Sequence, residues 1–88
     1  MTDDNNDAVI VKELAYTIHS AMVKIRKRSI SRSVLLKLIK AHFQLKSSRK
    51  AKHYLAELLR LEFINVAAFS AQDKPIYSIR MEAILSFS

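Results

Sequence analysis

The chain has 88 residues, half of them hydrophobic, which predicts one small folded domain rather than a basic disordered tail. It contains no cysteine, which excludes a disulfide framework and a thiolate metal site, and its three scattered histidines do not replace one. No apolar run approaches the roughly 20 residues of a membrane span. Asp3, Asp4 and Asp7 make the start acidic, the reverse of a secretory signal. We therefore expect a cytoplasmic or nucleoid-associated protein without membrane contact.

The basic residues are concentrated in the middle of the chain. The segment from Lys24 to Arg60 contains twelve of the fifteen Lys and Arg residues and one acid, Glu57, for a formal charge of +11. The remaining three basic and seven acidic residues give −4. This separation predicts that one face of the folded protein carries a strong positive potential. Its expected counter-surface is a polyanion, and nucleic acid is the commonest one.

The first predicted helix follows a mobile acidic N-terminus, residues 1–7, with Asp7 as its N-cap. Eight apolar residues between Ile10 and Ile25 fall within one arc of about 140°, which predicts an amphipathic helix. Tyr16 and Val23 point away from this arc, seven residues apart. They represent either ordinary surface exposure or one half of a homodimer contact.

A second helix is predicted from about Arg32 to Phe43, with Ser31 as its N-cap. Its apolar positions cover more than half of its circumference, so we expect it to be the most buried helix. His42 lies among them and is expected to be a hydrogen-bonded core residue rather than a ligand.

A short interruption with one apolar residue, Leu45, precedes a third helix, roughly Arg49 to Leu61, capped by either Ser47 or Ser48. Its inward positions are apolar, and Tyr54 at the flank is expected to pack in the core. Its outward positions are Arg49, Lys52, His53, Ala56, Glu57 and Arg60. Such a helix is held by one face and leaves a basic face free.

A β-hairpin is predicted next, because residues 63–69 and 76–80 are rich in β-branched and aromatic side chains and are separated by a polar stretch. The chain contains no glycine, so a longer loop around Asp73 to Pro75 is expected instead of a tight two-residue turn. Residues 81–88 form an apolar C-terminal extension. We expect them to extend the second strand or to dock, either on the body or on a second copy.

The order of these elements and the residue patterns at their boundaries point to the same fold. The patterns are Ile30-Ser31 before the second helix, Ser47-Ser48-Arg49 at the start of the third helix and Leu61-Glu62-Phe63-Ile64 at its end. Over about residues 9–80 the chain resembles the winged helix-turn-helix superfamily of DNA-binding domains. The resemblance implies an α+β fold in which residues 8–80 form three helices followed by a β-hairpin wing. That family often has glycine at the end of the third helix, where this chain has Glu62. Either the helix therefore ends differently, or Glu62 or a neighbour such as Asn65 takes the left-handed conformation.

The resemblance also implies that the third helix enters the major groove while the wing lies on the adjacent backbone. Ser47, Ser48 and Arg49 would contact phosphate at the helix N-terminus. Lys50, Lys52, His53 and Arg60 would reach base edges or phosphates, and Lys74 and Arg80 would be the contacts of the wing. Arg28, Arg32 and Lys46 complete the predicted nucleic-acid-binding surface. Glu57 would either read cytosine or lie just outside the contact.

The predicted function is therefore that of a small double-stranded-DNA-binding transcriptional regulator, acting as a homodimer through the first helix and the C-terminal extension. The sequence offers no catalytic set and no phosphate-cradling loop, so neither an enzyme nor a cofactor is expected. Two alternatives stay open. The run from Ile30 to Arg80 is also similar to a small-subunit ribosomal protein of archaea and eukaryotes, which implies RNA as the partner. A winged helix can also be a protein interaction module of a polymerase or repair complex.

Overall fold

The computed structural model describes residues 3–86, and side chains for residues 8–86. Within that range the chain is a small α+β domain with four helices and one three-stranded antiparallel sheet, which confirms the predicted class. The elements are α1 (Asp3–Lys24), β1 (Ile30–Ser31), α2 (Arg32–Phe43), α3 (Ser48–Arg60), β2 (Ile64–Phe69), β3 (Pro75–Ile79) and α4 (Met81–Ser86).

The first helix is longer than the sequence predicted. Its apolar arc buries Val11, Leu14 and Ile18 completely, as expected for a helix with one face against the core. However, α1 begins at Asp3, so Asp7 lies inside the helix and the prediction that it is the N-cap was wrong.

Two expected core residues of α1 are exposed. Ile10 lies at the edge of the apolar arc, and Ile25 follows the last helical residue, where the periodicity of the helix no longer applies. The helix ends through Arg26, which adopts a left-handed conformation while the Lys27 N–H donates to the Met22 carbonyl. The prediction that residues 1–7 are mobile falls on residues that lie outside the described range or are described only by their backbone, and it stays a prediction.

The second helix has the predicted bounds and the predicted cap, since the Ser31 side chain accepts a hydrogen bond from the Val34 N–H at 3.4 Å. It is less buried than expected. Only Leu35 and Ile39 are fully enclosed, whereas Val34 is exposed. The prediction that His42 is a core residue was wrong, because the other elements cover only one side of α2 and His42 lies on its open side.

The third helix is fixed by its apolar stripe, with Ala51, Leu55 and Leu58 buried as predicted. Ser47 is its N-cap, and its side chain accepts a hydrogen bond from the Arg49 N–H at 3.1 Å. The helix leaves through Glu62 at φ 62°, which confirms the left-handed position predicted there. The Phe63 N–H then donates to the Leu58 carbonyl at 3.0 Å, closing the helix end.

The sheet has the strand order β1-β3-β2, and all its pairs are antiparallel. The hairpin of β2 and β3 was predicted, but the two-residue strand β1 was not. It pairs Ile30 with Tyr77, and both side chains are buried. This pairing ties the segment before α2 to the hairpin, so the hairpin is anchored to the helical body along one side.

The hairpin loop is longer than two residues, as expected for a chain without glycine. Ser70 organises it: its Oγ accepts hydrogen bonds from the N–H groups of Gln72 and Lys74 at 3.3 and 3.2 Å. Asp73 takes the left-handed conformation that the turn requires. A bulge near Ala67 interrupts the ladder of β2 and β3.

The C-terminal extension docks on the body of the same chain. Residues 81–86 form α4, which lies against α1 and buries Ile84 completely. Of the alternatives predicted for this segment, extension of the second strand was wrong and docking on the body is confirmed for these residues. Phe87 lies outside the described residues.

Candidate nucleic-acid interface

The third helix presents two chemically different faces. Its buried stripe holds it against α1, α2 and β2, and the opposite side points to solvent. Arg49, Lys50, Lys52 and His53 are all exposed there. Within residues 8–86, no carboxylate lies within ion-pairing distance of Arg49, Lys50 or Lys52. The amino-terminal half of α3 is therefore a positively charged, solvent-facing surface on a rigidly held element.

The start of α3 is electrostatically unfavourable for the free protein. Its first turn reads Ser48-Arg49-Lys50-Ala51, which places two cations at the positive end of the helix dipole. Charges of the opposite sign would stabilise this position by about 0.3–1 kcal/mol each. Lys46 and Ser47 line the same shallow crevice as Arg49 and Lys50. A bound anion would therefore find several donors together and would relieve the repulsion.

Four rings connect this face to the end of α2. Phe43 and Tyr54 stack with centroids 4.3 Å apart, His53 meets Tyr54 edge-on at 5.6 Å, and His42 meets Phe43 edge-on at 4.6 Å. Tyr54 is partly buried in this row, so its predicted role in packing is confirmed. The contact fixes the angle between α2 and α3 beside the basic surface, while His53 remains exposed at its border.

The far end of α3 is different, because its charges are compensated. Arg60 holds Glu57 with two hydrogen bonds, from Nε to Oε2 at 2.8 Å and from Nη2 to Oε1 at 2.9 Å. These hydrogen bonds, together with the charges of Arg60 and His53, hold the pKa of Glu57 below its ordinary value, although partial burial opposes the shift. Both Glu57 oxygens are thus engaged within the helix. The positive potential is concentrated at the amino-terminal half.

Arg80 lies at the base of the hairpin and not at its tip. It contacts two carboxylates, Glu62 and Glu82, each at 3.3 Å, and its backbone N–H donates to the Phe63 carbonyl at 2.8 Å. Glu82 is only two residues away in the sequence, whereas Glu62 is eighteen residues away and is brought near Arg80 by the fold. Of the two cations predicted for the wing, Lys74 alone is in the exposed loop, next to Asp73.

The first strand of the hairpin is apolar and uncharged. Of Ile64–Phe69 only Ile64 is buried, and Val66 and Phe69 are exposed large hydrophobic residues. The sequence predicted a strand here from its β-branched, aromatic and small side chains, and it gave no expectation for their exposure. A surface of this composition offers little attraction for phosphate, and exposed apolar patches are more typical of contacts with proteins.

The remaining predicted residues lie in two other places. Arg32, at the start of α2, and Lys74, in the hairpin loop, line one crevice together with Asp73. Arg28 lines a separate groove with Ile25, beside the short strand β1. The structure therefore brings together Lys46, Ser47, Arg49 and Lys50, places Lys52 and His53 on the same exposed face, and separates Arg28, Arg60 and Arg80 from them.

The described residues contain neither a metal-ligand cluster nor a helix able to span a membrane. No group of three or more His, Cys, Asp or Glu side chains in that part of the chain is arranged to hold a metal ion. Among the helices of residues 3–86, none combines the length and apolarity that crossing a bilayer requires. In comparisons with known proteins, no family model, no curated protein and no solved structure matches the chain.

Proposed function

We propose that this protein binds double-stranded DNA through the exposed face of α3. The observation that carries the proposal is the amino-terminal half of that helix, where Arg49, Lys50 and Lys52 are exposed, unpaired within residues 8–86, and held in place by a buried stripe. The element order α1-β1-α2-α3-β2-β3 is compatible with the winged helix that the sequence resembles. In that fold the third helix is the recognition helix.

The proposed contacts follow from the geometry of the helix start. An α-helix fits the major groove of B-form DNA, which displays a distinct pattern for each base pair. Ser47, Ser48 and Arg49 lie at the N-terminus, where backbone N–H groups favour a phosphate oxygen. Lys50, Lys52 and His53 extend along the exposed face toward base edges or further phosphates.

The wing has a smaller part in this proposal than in the usual docking mode. Arg80 is engaged by two carboxylates, and β2 has no charge, so only Lys74 and the neighbouring Arg32 support a backbone contact beside α3. Binding is expected to be dominated by α3 and to depend strongly on salt, because each neutralised phosphate releases condensed counterions. A small regulator of transcription at the nucleoid is the role that fits such a module.

One observation favours a second candidate function, that of a protein interaction module. The exposed, uncharged strand β2 has one side unpaired, since β2 is at the edge of the sheet. An extended peptide could add to this edge, with Val66 and Phe69 contacting its side chains. In that case the basic surface of α3 would meet an acidic region of the same partner.

Fluorescence anisotropy with labelled duplex DNA, duplex RNA and structured ribosomal RNA separates these functions when repeated from about 50 to about 200 mM salt. The proposal predicts that duplex DNA binds most tightly and that its affinity falls steeply with salt. Tighter binding of either RNA would transfer the function to RNA. Failure to bind any of the three at low salt would contradict nucleic-acid binding and leave the protein interaction module.

A further inference from the structure

The exposed side of α1 carries a narrow apolar stripe that no element within residues 8–86 covers. Val9 is 52% exposed, Tyr16 is 37% exposed and Val23 is 59% exposed. Residues seven apart on a helix drift by only about 20°, so the three side chains lie nearly in line. At a rise of 1.5 Å per residue the stripe is about 21 Å long.

The stripe is symmetric about its centre. Tyr16 is seven residues from Val9 and seven from Val23, so the order of side chains is the same when it is read from either end. If a second α1 packs antiparallel with the twofold axis at Tyr16, each Val9 lies opposite the Val23 of the other copy. The two Tyr16 rings then lie beside each other. This is the self-complementarity that an isologous interface between identical chains requires.

The charges at the start of α1 and around its end, including the residues just after it, are complementary in the same arrangement. Residues 3–7 contain three aspartates and no base, whereas residues 24–28 contain four basic residues and no acid. Antiparallel packing about Tyr16 places the acidic end of each helix opposite the basic end of the other. Parallel packing would instead place acid on acid and base on base. The basic face of α3, by contrast, would repel a second copy.

A groove lies beside Val23, at one end of the stripe. It runs between α1 and the C-terminal part of the chain and is lined by His19, Met22, Val23 and Met81, among others. In the antiparallel arrangement it faces the Val9 end of the second copy. The C-terminal extension therefore contributes to the contact through Met81.

We propose that two copies of this protein associate through antiparallel packing of their α1 helices, centred on Tyr16. The inference does not depend on what α3 binds. If α3 binds DNA, the dimer presents two such helices to one duplex, and a single domain of this size offers only about 600–1,000 Å² of DNA interface. The sequence placed Tyr16 and Val23 in a possible dimer surface. The structure adds Val9 and Met81 to that surface and indicates that the two α1 helices pack antiparallel.

Disulfide trapping tests the direction, because the chain has no cysteine of its own. Three single variants are needed: Val9→Cys, Tyr16→Cys and Val23→Cys, each at an exposed position. Under mild oxidation Tyr16→Cys should cross-link with itself. A mixture of Val9→Cys and Val23→Cys should give the mixed disulfide in preference to either symmetric one. Preferential symmetric cross-linking of Val9→Cys and of Val23→Cys would show parallel packing and overturn the proposal.

Sedimentation equilibrium of the full chain tests the surface itself. The wild-type protein and the control Val66→Lys, which alters an exposed residue of β2, should sediment with the mass of two chains. Val23→Lys should sediment with the mass of one chain while its circular dichroism remains that of the wild type. A monomeric wild type at every concentration, or loss of the dimer in Val66→Lys alone, would overturn the proposal. DNA binding by a monomeric wild type would refute the dimer and leave the proposed function standing.

Discussion

Replacing Lys50 and Lys52 with glutamine removes two cations from the proposed DNA-binding face with little change to the helix that carries them. Both side chains are exposed, and neither has an ion-pair partner within residues 8–86, so no carboxylate loses its partner. Glutamine has nearly the same helix propensity as lysine. The stability of the fold should not fall, because Lys50 lies in the first turn, where a cation is unfavourable.

The expected loss of affinity follows from counterion release. If each lysine neutralises one phosphate, the slope of log K against log salt becomes shallower by about 0.9 for each, or about 1.8 in total. Over a fourfold increase in salt, from about 50 to about 200 mM, the wild-type protein should then lose about tenfold more affinity than the variant.

Fluorescence anisotropy over this salt range measures the two slopes directly, and urea unfolding of both proteins checks the fold. The matched control is the double variant Lys37→Gln, Lys40→Gln, which removes the same charge from α2. It should retain most of the wild-type slope. Equal slopes for the wild type and the α3 variant, or an equal loss in the α2 control, would show that binding follows net charge and that α3 is not the contacting helix.

Four further outcomes are expected. Glu57→Gln should tighten DNA binding measured by anisotropy, because it removes the acid of α3; unchanged or weaker binding would speak against contact near it. Hydrogen bonds from Arg60 lower the pKa of Glu57 in the folded protein. The stabilisation from this pair is therefore fully present above the ordinary pKa of a carboxylate and is lost as pH falls through the lowered pKa of Glu57. Arg60→Ala should raise the pKa of Glu57 in an NMR titration. Gln44→Gly should raise the free energy of unfolding in urea by about 0.5–1 kcal/mol, because the backbone of Gln44 is in the left-handed region. Glu62→Gly should raise it by less, because this change also removes the ion pair with Arg80. Ile84→Ala should destabilise the domain by about 2–5 kcal/mol, and a negligible effect would show that α4 is not docked in solution.

The parts of the fold that were predictable from sequence are those with local causes. Ser31 and Ser47 cap their helices through hydrogen bonds to residues two or three positions away, so the bounds of α2 and α3 followed closely. The left-handed conformation of Glu62 was one of the alternatives expected for a helix that ends in a chain without glycine.

The parts that were missed depend on contacts distant in sequence. Strand β1 has two residues, too few for any periodicity, and it exists because Ile30 meets Tyr77 across the fold. His42 was expected in the core because it lies among apolar positions, but no element within residues 8–86 covers that side of α2. Burial on a helix is set by its neighbours, which a periodic pattern cannot supply.

The candidate site also has features that were predictable from sequence and features that were not. The exposed face of α3 was predictable, because a stripe of three buried residues fixes which side faces solvent. The ion pair of Arg80 with Glu62 was not predictable, since Glu62 is eighteen residues away in the sequence. The apolar composition of β2 could be read from the sequence. Its exposure could not, because exposure depends on how far the hairpin extends beyond the body.

The most direct test of α3 as the DNA-binding element is an NMR titration of the isotopically labelled protein with a short DNA duplex. If α3 contacts the duplex, changes in backbone amide shifts should be largest over residues 46–53 and smaller near Arg32 and Lys74. Chemical-shift changes confined to β2 or to α1, with residues 46–53 unaffected at saturation, would contradict it.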